Sequence, residues 1–289
     1  QAVLILLLCI CALLSSCKTP NLTTVTSATA ATLQKELSVQ YVPSDVFQKS
    51  LMNAKHYPKT KNTISGVVPH HLVAADLIAG FFESIPRDYE TVIILAPDHS
   101  GGTGQVIASG LDWSLAGGEI SCDREMLADI LKIKGISFVK DDDRLQNDHS
   151  ASNLIPYVKQ YIPNAKIVPL LLTNRTGPDA LLGFARSLYE LAAGKKCLFL
   201  FSLDFSHYLL PTEAEKRDKI TRSAIEGLDY GAISRMNSEY LDCPPGLIVF
   251  LRITELAKGK PEILDNSSAT EILKREDKTT TYFILRSTR

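Results

Sequence analysis

Cys197-Leu-Phe-Leu-Phe-Ser-Leu-Asp204-Phe-Ser-His207-Tyr208 is an apolar run that stops at two reactive side chains. Its all-apolar stretch, Leu198 to Phe201, is short and fits a strand buried on both faces, as in parallel sheets covered by helices. In open α/β sheets, ligands sit outside the carboxyl ends of strands, which puts Asp204 and His207 where chemistry is done. Two further stretches share the design, Ile64-Ser-Gly-Val-Val-Pro-His70-His71 and Thr91-Val-Ile-Ile-Leu-Ala-Pro-Asp98-His99. Three strands ending in histidine predict one convergent pocket.

Outward from these strands, the chain alternates strand-like and helix-like segments. Apolar residues recur at helical spacing over 72–85, and Ser121 or Asp123 caps a helix running to about Lys134, with acidic Asp123 and Glu125 in its first turn. The stretch 105–109 reads as a short edge strand, the charged 140–148 as a loop, and 148–161 as one helix with Pro156 in an early turn. Lys166-Ile-Val-Pro-Leu-Leu-Leu172 is a further strand. Helices follow over 178–193, 213–228 and 246–258, and β-branched and aromatic 279–285 is a closing strand. Alternation of this kind predicts an α/β fold, a single domain with a largely parallel central sheet flanked by helices.

The first seventeen residues differ. Ala2 to Leu14 is a thirteen-residue apolar run, shorter than the ~20 residues a spanning helix needs and suited to the core of a signal peptide. Leu14-Ser15-Ser16-Cys17 follows and resembles a bacterial lipobox, with Cys17 the lipidated residue. The competing reading is an ordinary signal peptide. The Thr-, Ser- and Ala-rich 18–33 reads as a flexible tether, and 34–289 as the folded domain. The expected location is extracytoplasmic, lipid-anchored to a bacterial membrane.

Composition excludes little else. Of 289 residues 45% are hydrophobic and 22% charged, ordinary for a globular core, and the net charge of −1 offers no basic face for nucleic acid. The six cysteines include no CxxC pair, and the three in the body are too dispersed for a disulfide framework. A nucleophile elbow, a phosphate-binding loop and an H-E-x-x-H helix are all absent from the sequence.

Six histidines exist, and His70, His99, His149 and His207 stand at strand ends or helix starts. Imidazoles converging on one sheet edge suit a metal, with open positions left for substrate. In Asp204-x-x-His207 the carboxylate is placed to orient the imidazole of a general base. Cys243, in Leu241-Asp-Cys-Pro-Pro-Gly246, precedes a helix whose dipole would stabilise its thiolate.

Gly66-Val-Val-Pro-His70, Leu95-Ala-Pro-Asp-His99, Asp148-His149-Ser150, Ile167-Val-Pro-Leu170, Ser202-Leu-Asp204-Phe-Ser-His207-Tyr208 and Cys243-Pro-Pro-Gly246 occur in an order that resembles the Memo family. Its prokaryotic members are called AmmeMemoRadiSam system protein B, and the resemblance runs from about Ser50 onward. It implies a fold similar to class III extradiol dioxygenases. It also implies a metal set of His70, His99 and Cys243, with His207, Asp204 and His149 as the catalytic pocket residues. The sequence departs from the family in reading His70-His71-Leu72 where His-Ala-Gly is usual, and register favours His70 over His71. The glutamate usual three residues after the His149 position is also missing, Ser152 standing there. The implied ion is Fe, Cu or Zn. The leading expectation is a non-haem metal-dependent oxidoreductase of unknown small-molecule substrate, with proteins of the AmmeMemoRadiSam system as partners. A zinc-dependent hydrolase and a non-catalytic metal-binding protein using the same cleft are the alternatives.

Overall fold

A computed structural model describes residues 36–288. The chain divides into two units, Gln1–Gln34 and Lys35–Arg289, and all the elements named below belong to the second. Cys17 and the 18–33 segment lie outside the described residues.

Eleven strands occur among the described residues: β1 Leu37–Ser38, β2 Thr63–Val68, β3 Thr91–Pro97, β4 Val106–Ala108, β5 Trp113–Leu115, β6 Gly118–Ile120, β7 Phe138–Lys140, β8 Lys166–Leu172, β9 Cys197–Ser202, β10 Pro261–Ser268 and β11 Thr281–Thr288. Eight form one sheet in the order β10-β11-β2-β9-β3-β8-β4-β7, and β1, β5 and β6 form a small second sheet. The middle of the large sheet, β2-β9-β3-β8, is parallel throughout. The antiparallel pairs lie outside it, β11 with β2 and β10 on one side and β4 with β8 on the other.

The parallel centre follows from the apolar runs. Alternate residues of β3 enter two separate cores: Ile93 and Leu95 pack with Phe199, Phe201, Leu247 and Phe184, while Val92 and Ile94 pack with Leu198, Leu200, Phe82 and Tyr157. Helices Pro178–Leu191 and Pro244–Leu256 supply the first core, and Ala75–Ser84 and Ile155–Tyr161 the second. A strand apolar on both faces is thus covered on both faces. Gly66 in β2 is required by this packing, since a Cβ there would lie 2.0 Å from Cζ of Phe81.

Strand β9 lies between β2 and β3, so three C-terminal strand ends stand side by side. Val68 pairs with Ser202, and Leu95 with Phe201. The residues just beyond these ends are His70, Asp204 and His99.

Several elements differ from the sequence reading. The 105–109 stretch is not at an edge, because β7 pairs outside β4. The charged 140–148 segment holds a helix, Asp142–Asn147, capped by the Asp141 carboxylate accepting from Arg144 N. The single helix expected over 148–161 breaks into His149–Ser152 and Ile155–Tyr161. Strand β10 has no apolar periodicity and goes unseen in sequence because its residues are only half buried. Among the described residues no helix is long and apolar enough to cross a membrane.

Candidate metal centre

His70 is locked from both sides of its backbone. Its N–H donates to Asp204 Oδ1 at 3.1 Å, and its carbonyl accepts from Asn153 Nδ2 at 2.9 Å. Its ring Nδ1 lies 3.1 Å from Ser202 Oγ, while that hydroxyl donates its one proton to the Ser150 carbonyl at 2.6 Å. The hydroxyl can therefore only accept from the imidazole, so Nδ1 carries the proton and Nε2 keeps a bare lone pair. Burial holds the His70 pKa well below the usual histidine value, and the ring is neutral.

His99 is oriented in the same sense by a carboxylate. Its Nδ1 lies 3.1 Å from Asp148 Oδ1, and its backbone N–H donates to Asp148 Oδ2. An ionised carboxylate only accepts, so again Nδ1 bears hydrogen and Nε2 is left free, the outer arrangement typical of metal-ligating histidines. Burial opposes a charge on His99, but the Asp148 hydrogen bond and charge outweigh it and raise its pKa. Burial also disfavours the charge on Asp148, and the bonds from His99 and Ser150 overcome it, so its carboxyl sits well below the ordinary range.

The loop carrying His99 is pinned by Arg144. This guanidinium, 8% exposed, donates to both Asp98 oxygens and to the Thr103 carbonyl. Gly101 and Gly104 adopt positive φ of 69° and 91°, and a Cβ at Gly102 would meet the Arg144 guanidinium at 2.6 Å. The glycines let the backbone wrap the arginine.

His149 opens its short helix immediately after the Asp148 cap and stacks on His99, ring centroids 4.8 Å apart at 15°. His70 stands edge-on to both, at 5.4 Å from His99 and 5.2 Å from His149. One ligand atom from each of these three rings lies within 4.8 Å of the others. A second group of the same compactness shares His70 and adds Asp204 and Asp242.

Asp204 faces both His70 and His207. Its Oδ2 lies 3.5 Å from His70 Nε2, and its charge raises the His207 pKa against the larger lowering by burial, while His207 Nδ1 is buried with no hydrogen-bond partner. His207 is held instead by its backbone, donating to the Ser238 carbonyl, and burial lowers its pKa. Tyr208, beside it, takes φ of 56°, a left-handed conformation rare for an aromatic residue and found where surroundings enforce it. His71 turns away to Tyr282, its Nδ1 at 2.6 Å from the phenol oxygen.

The structure departs from the sequence-derived set at Cys243. That residue belongs to neither ligand group, is fully buried in the apolar core with Leu203 and Leu247, and burial drives its thiol far above the usual range. The cause is the strand-like pairing of Phe205 with Leu241. It brings Asp242, not its neighbour, against Asp204: Asp242 N donates to the Asp204 carbonyl, and Asp242 Oδ2 accepts from Asp204 N at 3.1 Å. Asp242 Oδ2 is 3.6 Å from His70 Nε2, and burial followed by the Asp204 charge raises its pKa well above the ordinary value.

Residues 44–282 match the family described as Memo-like protein. This chain belongs to that family. A Memo-like relative from Sulfolobus acidocaldarius, a MEMO1 family protein, is 29% identical over 250 residues, covering 82% of this chain and 87% of its own length. Another from Archaeoglobus fulgidus is 29% identical over 227 residues, covering 76% and 85%. The solved structure of the uncharacterised protein JW3007 from Escherichia coli K12 superposes with a TM-score of 0.55 at 11% identity, over 77% of this chain and 99% of that one, and so shares the fold.

Within this Memo-like chain, four contributors escape the sequence reading. In sequence Ser202 and Asp148 are parts of motifs without roles of their own, Arg144 belongs to a charged loop and Asp242 is a bystander to Cys243. Asp148 carries a signal: an N-cap carboxylate directly before a histidine. The others owe their roles to partners 38 to 132 residues away in sequence.

Proposed function

We infer that the protein binds a transition-metal ion on His70, His99 and His149 and uses it in redox chemistry on a small molecule. One observation carries this reading: two imidazoles, buried His70 and exposed His99, have their Nδ1 protons committed to fixed acceptors, which makes Nε2 of each the nitrogen that can bind a metal, in a cluster with a third ring. Neutral imidazole is the commonest protein metal ligand, and fixing its far nitrogen sets both tautomer and direction. Imidazole donors suit Fe, Cu or Zn.

When bound, such an ion would supply a Lewis acid and, for Fe or Cu, a one-electron couple. The chain's own residues do the rest. His207, neutral because burial lowers its pKa, would take a proton from a substrate hydroxyl. Asp148 holds His99 in its binding tautomer, and Arg144 fixes the loop that delivers it. Leu203 and Phe205, the chain neighbours of Asp204, and Leu241, that of Asp242, are fully buried in the apolar core.

Anaerobic purification followed by metal analysis tests the reading. Wild-type protein should carry or take up one equivalent of metal, and His99→Ala should lose it; a wild-type protein that binds no metal would end the proposal. The three-imidazole group also favours a zinc hydrolase, in which bound water acquires a pKa near ~7. Zinc-restored ester or amide hydrolysis that is indifferent to oxygen would select that second reading.

We also propose that this centre works outside the cytoplasm, tethered by lipid at Cys17. Cys17→Ser in the full-length protein should release it from the membrane fraction. Unchanged partitioning would remove the anchor.

A further inference from the structure

Both ligand groups include His70, and with Nδ1 committed to Ser202 its Nε2 is the one nitrogen it can offer to either. With the ring proton on the far nitrogen, this atom presents one lone pair. Asp204 Oδ2 at 3.5 Å and Asp242 Oδ2 at 3.6 Å face it, with side chains 5% and 9% exposed. Asp204 Oδ1 accepts the His70 N–H, Asp242 Oδ2 accepts from Asp204 N, and Asp242 Oδ1 is buried without a hydrogen-bond partner. Three acceptor atoms packed this closely, away from water, repel one another unless a proton or a metal ion lies among them.

We propose that Asp204 and Asp242 form a second seat for a metal ion around the same His70 nitrogen, alternative to the His70–His99–His149 seat. Because Nε2 has one lone pair, the seats exclude each other. Their chemistries differ. The three-histidine seat is neutral and nitrogen-only, suited to Cu(I). The second seat is anionic and mostly oxygen, suited to hard divalent ions such as Mn(II). The centre therefore selects an ion's position by its hardness, and His70 is the pivot. Asp242 lies next to Cys243 in the chain, so a carboxylate occupies the place where the sequence suggests a thiolate. The inference rests on the metal-binding reading above.

The test is anaerobic titration of the full chain with Mn(II), followed by electron paramagnetic resonance, and separately with Cu(I) against a competing chelator. Asp242→Asn should weaken Mn(II) by about tenfold or more, since even loss of an outer partner costs that much, and leave Cu(I) within about threefold. His149→Gln should do the reverse. Asp204→Asn, which keeps an acceptor for the His70 N–H, should repeat the Asp242→Asn split and serves if that variant does not fold. Equal weakening of both ions by Asp242→Asn, or no effect on Mn(II), overturns the second seat. Binding of Cu(I) but not Mn(II) by wild type overturns it too while leaving the three-histidine reading intact. Failure to bind either ion removes both.

Discussion

At the scale of single residues, the centre is governed by which atom of each imidazole carries hydrogen. Asp148 and Ser202 make that choice, neither touching the cluster with its own oxygen except through a ring nitrogen. Asp148→Asn should therefore cost roughly ten- to hundredfold in metal affinity, the usual effect of losing an outer partner, measurable by chelator competition. In metal-free protein the same substitution should move the His99 titration, followed by ring-proton NMR, to lower pH, because the raising influence of the carboxylate is gone. The sign for Asp148 itself is opposite. Its folded pKa is depressed, so its contribution to stability is present above its unfolded value of 3.8 and fades as pH falls through its folded value. Asp148→Asn should accordingly flatten the acid limb of the stability profile in urea titrations.

At the scale of elements, the sheet centre and the His99 loop depend on two close fits. In β2, Gly66 leaves room for the Phe81 ring, and Gly66→Ala overpacks that contact. A loss of about 1–3 kcal/mol is expected, read as a lower urea midpoint with an unchanged slope. The Arg144–Asp98 pair, with side chains 8% and 1% exposed, is the loop's anchor. Arg144→Met should cost about 3–5 kcal/mol by stranding a buried carboxylate, and adding Asp98→Asn should recover part of it. If the double variant is no more stable than the single one, the loss lies in the guanidinium's bonds to the Thr103 carbonyl and the Ser100 hydroxyl rather than in the stranded charge.

At the scale of the whole molecule, the fold concentrates buried acid at the end of β9. Asp204 and Asp242 have folded pKa values raised, first by burial and then, for Asp242, by the Asp204 charge. A raised folded pKa gives a contribution that is full below the unfolded carboxylate value of 3.8 and is lost as pH rises through the folded value. As pH rises through those folded values the metal-free protein loses that contribution, and a bound cation offsets the loss. Saturation at a hundred times Kd stabilises any protein by about 2.7 kcal/mol, so melting temperature should rise on addition of Zn(II). The rise should be larger near pH ~8 than near pH ~5, where protons compete for the same ligands. A rise that grows toward acid pH would contradict the placement of these carboxylates.

The apolar runs at 64–68, 91–97 and 197–202 by themselves determined an α/β fold and the fact that histidines stand at the ends of central strands. Each such run is a local pattern, and a strand without a polar face can live only between two layers of helices. Helix ends with a cap in the sequence, such as Asp123 before Arg124–Ile130, were legible for the same local reason. Half-buried β10, with its mixed residues, was not, because its place comes from pairing with β11. Only the tertiary structure decided that β9 separates β2 from β3, which brings His70, Asp204 and His99 to one edge. Only it decided that Asp242 rather than Cys243 meets His70. Adjacent residues on an extended segment point to opposite sides. Which side faces the centre is set by the pairing of Leu241 with Phe205, a contact between segments 36 residues apart that no local pattern records.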